Sequence, residues 1–99
     1  MKVDYESGCD TVQITLEEQV GRLSGGSDVI AGGAVIVSYS KNRPAMIDVI
    51  GTQNGFEEPL RIAAERNDLD AEALLAAVRA ALAAPDRLVE LDVGVRAAT

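Results

Sequence analysis

Two strand-forming segments in the middle of the chain constrain the fold most. Residues 34–40 (Ala-Val-Ile-Val-Ser-Tyr-Ser) and 45–52 (Ala-Met-Ile-Asp-Val-Ile-Gly-Thr) are rich in the β-branched residues that favour a strand. Residues 41–44 (Lys-Asn-Arg-Pro) have the composition of a turn, because proline fixes φ and cannot donate to a strand ladder. The pattern therefore predicts a β-hairpin over residues 34–52, against which the other elements must pack.

Alternating patterns predict two further strands near the N-terminus. Val12 and Ile14 alternate with polar residues, which is the period of a strand with one buried face. Val3 and Tyr5 alternate in the same way. Residues 7–10 (Ser-Gly-Cys-Asp) lie between the two patterns and are expected to form the turn of an N-terminal hairpin.

A third alternating pattern lies near the C-terminus. Residues 87–95 alternate polar and apolar side chains, and we expect Leu91 and Val93 to point inward. Residues 96–99 are expected to form a frayed tail, so that one domain covers residues 1–95.

Three segments have helical patterns. Thr15 and Glu18 have the spacing of a capping box and precede apolar residues at helical spacing, so a short helix is expected to end at Gly25-Gly26. Residues 56–67 predict a second helix, with Pro59 tolerated in the first turn. Ion pairs at i,i+4 spacing are expected on that helix, namely Glu57 with Arg61 and Arg61 with Glu65.

The third helix is predicted over residues 71–84, capped by Asp68 or Asp70 and closed by Pro85. Only Glu72 and Arg79 are charged in this segment, and all its other residues are Ala, Leu or Val. A helix that is apolar nearly all round must be covered on more than one side. Leu75, Val78 and Leu82 are expected to face the sheet; a second stripe of small residues lies elsewhere, at Ala73, Ala76, Ala80 and Ala83.

The order of these elements predicts an α+β fold. We expect a mostly antiparallel sheet of four or five strands with helices packed on one face, in the βαββαβ order of ferredoxin-like proteins. Residues 53–68 would then be an insertion before the last helix.

The missing residue types narrow the possible chemistry. The chain has no histidine and one cysteine. Ser-His and Cys-His nucleophiles, histidine-containing metal sites, thiolate zinc sites and disulfides within the chain are therefore excluded. We expect no catalytic residue, no metal and no cofactor, and the protein is expected not to be an enzyme.

The net charge indicates the kind of partner. Sixteen acidic residues against nine basic ones give a charge of −7, which repels nucleic acid and favours encounter with a basic protein. The longest apolar run, residues 29–37, is too short to span a membrane. The single cysteine fits a reducing compartment, so we expect a cytoplasmic protein.

Three segments resemble a known family. Residues 15–23 (Thr-Leu-Glu-Glu-Gln-Val-Gly-Arg-Leu), 69–82 (Leu-Asp-Ala-Glu-Ala-Leu-Leu-Ala-Ala-Val-Arg-Ala-Ala-Leu) and 87–91 (Arg-Leu-Val-Glu-Leu) resemble small actinobacterial immunity proteins of polymorphic toxin systems. That family usually has a tryptophan in the closing strand, and this chain has none. The resemblance implies a non-enzymatic inhibitor that blocks the active site of a basic toxin or enzyme.

Three functions remain open from the sequence. A protein-binding domain would use acidic residues around segment 53–70, namely Glu57, Glu58, Asp68 and Asp70. A structural subunit or homo-oligomer would pack through helix 71–84, at Ala73, Ala76, Ala80 and Ala83. A small-molecule-binding protein is the third alternative.

Overall fold

The computed structural model describes residues 1–17 and 25–91. In these residues a six-stranded antiparallel sheet packs against two helices, which confirms the predicted α+β class. The elements are β1 (Lys2–Glu6), β2 (Thr11–Thr15), β3 (Ser27–Ile30), β4 (Val35–Ser40), β5 (Arg43–Ile50), α1 (Glu57–Arg66), α2 (Ala71–Ala83) and β6 (Leu88–Glu90). The strand order across the sheet is β3-β4-β5-β2-β1-β6.

The strand number departs from the expectation. Six described strands replace four or five, and α1 and α2 follow one another between β5 and β6, as the helices predicted over residues 56–67 and 71–84 do. Residues 53–68, expected as an insertion, contribute to the core, because Leu60 and Ala63 of α1 are completely buried. β3 was not predicted; its last residue, Ile30, pairs with Val35 across the turn that follows.

The central hairpin is confirmed with a tighter turn than predicted. Only Lys41 and Asn42 form the turn, with φ of 52° and 64°, and positive φ at both positions is typical of a two-residue hairpin turn. Arg43 and Pro44 instead begin β5. Pro44 lies opposite Tyr39, next to a shift in the strand register that accommodates a residue with no N–H.

The predicted N-terminal hairpin is also confirmed. β1 pairs with β2 in register, so that Val3 lies opposite Ile14. Thr15 is the last residue of β2 and lies opposite Met46. Residues 18–24 lie outside the described part of the chain, and the helix expected there stays a prediction.

Both helices lie on one face of the sheet. α1 packs against β3 and β4, α2 packs against β1, β2 and β6, and the two helices contact each other. Between the helices and the sheet lie the largest completely buried side chains, namely Val3, Val12, Ile14, Val35, Val37, Ile47, Val49, Leu60, Leu74, Leu75 and Val78.

Three predictions about the cap of α2, the ion pairs of α1 and the C-terminal residues can be compared with the structure. Asp70 is the N-cap of α2, because its carboxylate accepts from the backbone amides of Glu72 at 3.0 Å and Ala73 at 3.3 Å. Arg61 pairs with Glu72 of the other helix at 2.8 Å rather than within α1. Leu91 packs against the core as expected; Val93 and residues 96–99 lie outside the described residues.

Candidate functional site

One face of the sheet has no described helix on it. We call this surface the open face, and it consists of the side chains that alternate with the buried ones along all six strands. Its members are Lys2, Asp4, Glu6, Thr11, Gln13, Thr15, Ser27, Val29, Ile36, Ser38, Met46, Asp48, Ile50, Leu88 and Glu90.

The exposed large hydrophobic side chains all belong to the open face. Val29, Ile50 and Leu88 are 58%, 42% and 64% exposed, and no other large hydrophobic residue in the described ranges is as accessible. A single exposed leucine is ordinary on a protein surface. All three lie on one sheet face, and no large hydrophobic side chain of the described helices is as exposed.

A single row of side chains crosses the open face at its centre. Because the strands are in register, Leu88 lies opposite Asp4, Asp4 opposite Gln13, Gln13 opposite Asp48, Asp48 opposite Ile36, and Ile36 opposite Val29. The Gln13 amide donates from Nε2 to Oδ1 of Asp48 at 3.3 Å. The row therefore has a polar centre between apolar ends.

The two sides of the row differ in chemistry. On β3, β4 and β5, the apolar half of the open face comprises Val29, Ile36, Met46 and Ile50, with Asp48 among them. On β1 and β6, the acidic half comprises Asp4, Glu6 and Glu90, with Lys2 opposite Glu90 and the exposed Leu88 opposite Asp4.

The acidic half contains a groove over β1 with a volume of about 390 Å³. Burial in this groove raises the pKa of Asp4, and the negative charges of Glu6 and Asp48 raise it further. A cation placed beside Asp4 would reverse this effect. The groove is lined by Lys2, Asp4, Glu6, Gln13, Thr15, Asp86, Arg87 and Leu88.

The loops at one end of the sheet are joined by two aspartates. Asp10 accepts from the hydroxyl of Tyr5 at 3.0 Å, from the hydroxyl of Thr52, and from the backbone amide of Gln53 at 3.2 Å. The hydrogen bond from Thr52 is the main cause that holds the pKa of Asp10 below its ordinary value. Asp10 therefore stays ionised and fastens the loop after β5 to the β1–β2 turn.

Asp86 fastens a third loop to the same turn. Its carboxylate accepts from the hydroxyl of Ser7 at 2.7 Å and from the backbone amide of Ser7 at 3.0 Å, and these bonds lower its pKa. Cys9 lies exposed in that turn, 3.6 Å from a carboxylate oxygen of Glu6. Asp86, which itself lines the groove above β1, thus ties this part of the groove to the β1–β2 turn.

The structure does not bring the four acidic residues predicted for partner binding together. Glu57 and Glu58 begin α1, whereas Asp68 and Asp70 lie in the turn after it. A helix of ten residues separates the two pairs by about 15 Å. None of the four belongs to the open face, and Asp70 is occupied as a helix cap.

The alanine stripe of α2 is only partly accessible. Ala76 and Ala83 are exposed, whereas Ala73 and Ala80 are half-buried. Leu75 and Val78 face the sheet as predicted, and Leu82 is partly buried against the core. Leu74 and Ala77 are buried as well, so the described elements cover α2 on more than one side.

Sequence reasoning missed the polar residues of the open face although their signal is present in the sequence. Asp4 lies between Val3 and Tyr5, and Asp48 lies between Ile47 and Val49. A charged residue between inward-facing apolar neighbours marks the outward side of a strand. What the sequence did not show is the register that places Asp4, Gln13 and Asp48 side by side.

Neither a metal site in the described residues nor a match to a known protein indicates what the open face binds. In the described ranges no group of three or more Cys, Asp or Glu residues is arranged to hold a metal ion, and no helix there is long and apolar enough to cross a membrane. Comparison with protein-family models, curated proteins and solved structures found no match.

Proposed function

We propose that this chain is a non-catalytic protein-binding domain that holds a basic partner against its open face. An immunity-type inhibitor of a basic toxin or enzyme is the specific form of this proposal. The observation that supports it most is the position of Val29, Ile50 and Leu88, whose exposed side chains all lie on the one sheet face without a described helix. An accessible apolar face with polar residues in it is typical of an interaction surface.

The charges of the open face favour a basic partner. The face carries four carboxylates and one ammonium group, from Asp4, Glu6, Asp48 and Glu90 against Lys2. Asp86 and Arg87 at the groove rim add one charge of each sign. Complementary charge accelerates association and rejects acidic competitors.

The groove also supports a cationic contact. Burial and the neighbouring carboxylates disfavour the charged form of Asp4 in the free protein and so raise its pKa. A lysine or arginine of the partner would offset both effects. Binding is therefore expected to stabilise the ionised form of Asp4.

Affinity capture with matched bait proteins tests the proposal. One bait carries Asp4→Asn and Asp48→Asn on the open face, and the control bait carries Glu57→Gln and Glu58→Gln at the start of α1. Both changes remove two negative charges. We expect the wild type and the control bait to retain a basic protein that moderate salt releases, and the open-face bait to lose it at least tenfold.

Two outcomes of that experiment would contradict the proposal. Retention of the same protein by all three baits would exclude the open face. Loss from the control bait alone would move the contact to the start of α1, where the sequence predicted it.

A homo-oligomer that packs through α2 is the second candidate, because Ala76 and Ala83 are exposed there. Light scattering after gel filtration separates the candidates. A monomer at high concentration excludes the homo-oligomer, whereas a dimer that Ala76→Glu dissociates would support it.

A further inference from the structure

We infer that the two halves of the open face contact different parts of the partner, which must present an apolar patch beside a basic patch. The apolar patch covers Val29, Ile36, Met46 and Ile50, and the basic patch lies over Asp4 and Glu6. This inference rests on the proposed function and specifies the chemistry of the partner.

The apolar half places apolar side chains on three neighbouring strands, with Asp48, Ser27 and Ser38 among them. Ile36 lies between Val29 on one neighbouring strand and Asp48 on the other, and Met46 and Ile50 flank Asp48 along β5. Val29 and Ile50 are exposed, and the side chains between them are half-buried. Apolar side chains of a partner would remove this surface from water, which is the main favourable contribution in protein association.

The acidic half lies across the sheet from it. Asp4 and Glu6 are two residues apart on β1 and therefore point to the same side. They share a groove with Gln13 and Thr15, whose polar side chains can hydrogen-bond a guanidinium or ammonium group. Asp86, Lys2 and Arg87 also line the groove, which therefore carries three carboxylates against two cations. A cationic side chain over β1 would contact both carboxylates.

The spacing of the halves defines how the patches must be arranged. β1 and β4 are separated by three strand spacings, which amounts to about 14 Å. About four residues of extended chain cover that distance. A segment of about eight residues with apolar residues at one end and basic residues at the other can therefore contact both halves.

Two synthetic peptides of identical composition test the inference. The segregated peptide has four leucines followed by four arginines, and the interleaved peptide alternates them. Binding to the full chain is followed by fluorescence anisotropy of a label on the peptide. We expect the segregated peptide to bind at least tenfold more tightly, because only it can place each residue type on its own half.

Variants of the chain locate the binding. Asp4→Asn with Glu6→Gln, and separately Ile36→Thr, should weaken binding of the segregated peptide at least tenfold. Glu57→Gln with Glu58→Gln should change it less than twofold. Thermal unfolding of each variant confirms that it is folded.

The other outcomes distinguish the inference from the proposed function. Equal binding of both peptides, weakened by the open-face variants, would overturn the division into halves and leave the open face as the binding surface. Binding that ignores the open-face variants would contradict both. No binding by either peptide at millimolar concentration would overturn the inference, and the bait experiment would then decide the proposed function alone.

Discussion

Replacement of Asp48 by threonine is expected to stabilise the fold and to weaken partner binding. Aspartate is among the poorest strand formers and threonine among the best, and such differences reach about 1 kcal/mol in a host sheet. Contact of the threonine methyl group with Ile36 adds about 0.2–1 kcal/mol. Against this, loss of the hydrogen bond from Gln13 costs about 0.5–1 kcal/mol.

The expected net gain is about 1 kcal/mol, which corresponds to a rise of about 4–8 °C in the melting temperature of a chain this size. Thermal and urea unfolding followed by circular dichroism measure it. Asp48→Asn is the matched control: it keeps an acceptor for Gln13 and a poor strand former, so stability should change by less than about 0.5 kcal/mol. A loss of more than about 1 kcal/mol in Asp48→Thr would show that Asp48 serves the sheet rather than a partner.

Three further predictions concern the core, a helix cap and the pH dependence of stability. Leu75→Ala, in the core, should lower the free energy of unfolding in urea by about 2–5 kcal/mol. Leu88→Ala, where the side chain is 64% exposed, should lower it by less than about 0.5 kcal/mol. Similar decreases for the two variants would contradict the placement of α2. Asp70→Ala should destabilise the protein by about 1 kcal/mol through the lost N-cap, and an unchanged urea midpoint would contradict that role. The pKa of Asp10 is lowered below 3.8 in the folded state, so its stabilisation is present above that pH and is lost as the pH falls through the lowered pKa. The pKa of Asp4 is raised, so its ionisation opposes folding near neutral pH and protonation relieves this as the pH falls. Melting curves at neutral pH should therefore show Asp10→Asn less stable than the wild type and Asp4→Asn more stable. Both differences should shrink at strongly acidic pH. Shifts of the same sign in the two variants would contradict the opposite pKa shifts of Asp10 and Asp4.

Local patterns predicted much of the secondary structure. The hairpin that ends at Ile50, the N-terminal hairpin and α2 all follow from periodicity, turn composition and capping over a few residues. Such signals depend on neighbours along the chain, so the sequence carries them directly. The predicted turn, residues 41–44, is two residues longer than the observed turn at Lys41 and Asn42. Pro44 was expected in the turn, but it can occupy a strand where the ladder is irregular.

The sheet order and the candidate site depended on contacts between distant residues. Met46 on β5 lies opposite Thr15 on β2, and no pattern within either strand specifies that partner. The acidic residues predicted for partner binding are not side by side for the same reason: Glu58 and Asp68 are close in the sequence, but α1 places them at its two ends. Grouping charges by sequence distance is unreliable when a helix lies between them.

Site-specific photo-crosslinking in the cell that makes the protein shows directly whether the open face holds a basic partner. A photoreactive phenylalanine analogue is placed at Ile36 on the open face, at Glu58 at the start of α1, or at Ala76 on α2. We expect a discrete adduct with a basic protein from position 36 and none from the other two. An adduct from position 58 or 76 without one from position 36 would contradict it, and an adduct of twice the chain mass from position 76 would establish the homo-oligomer instead.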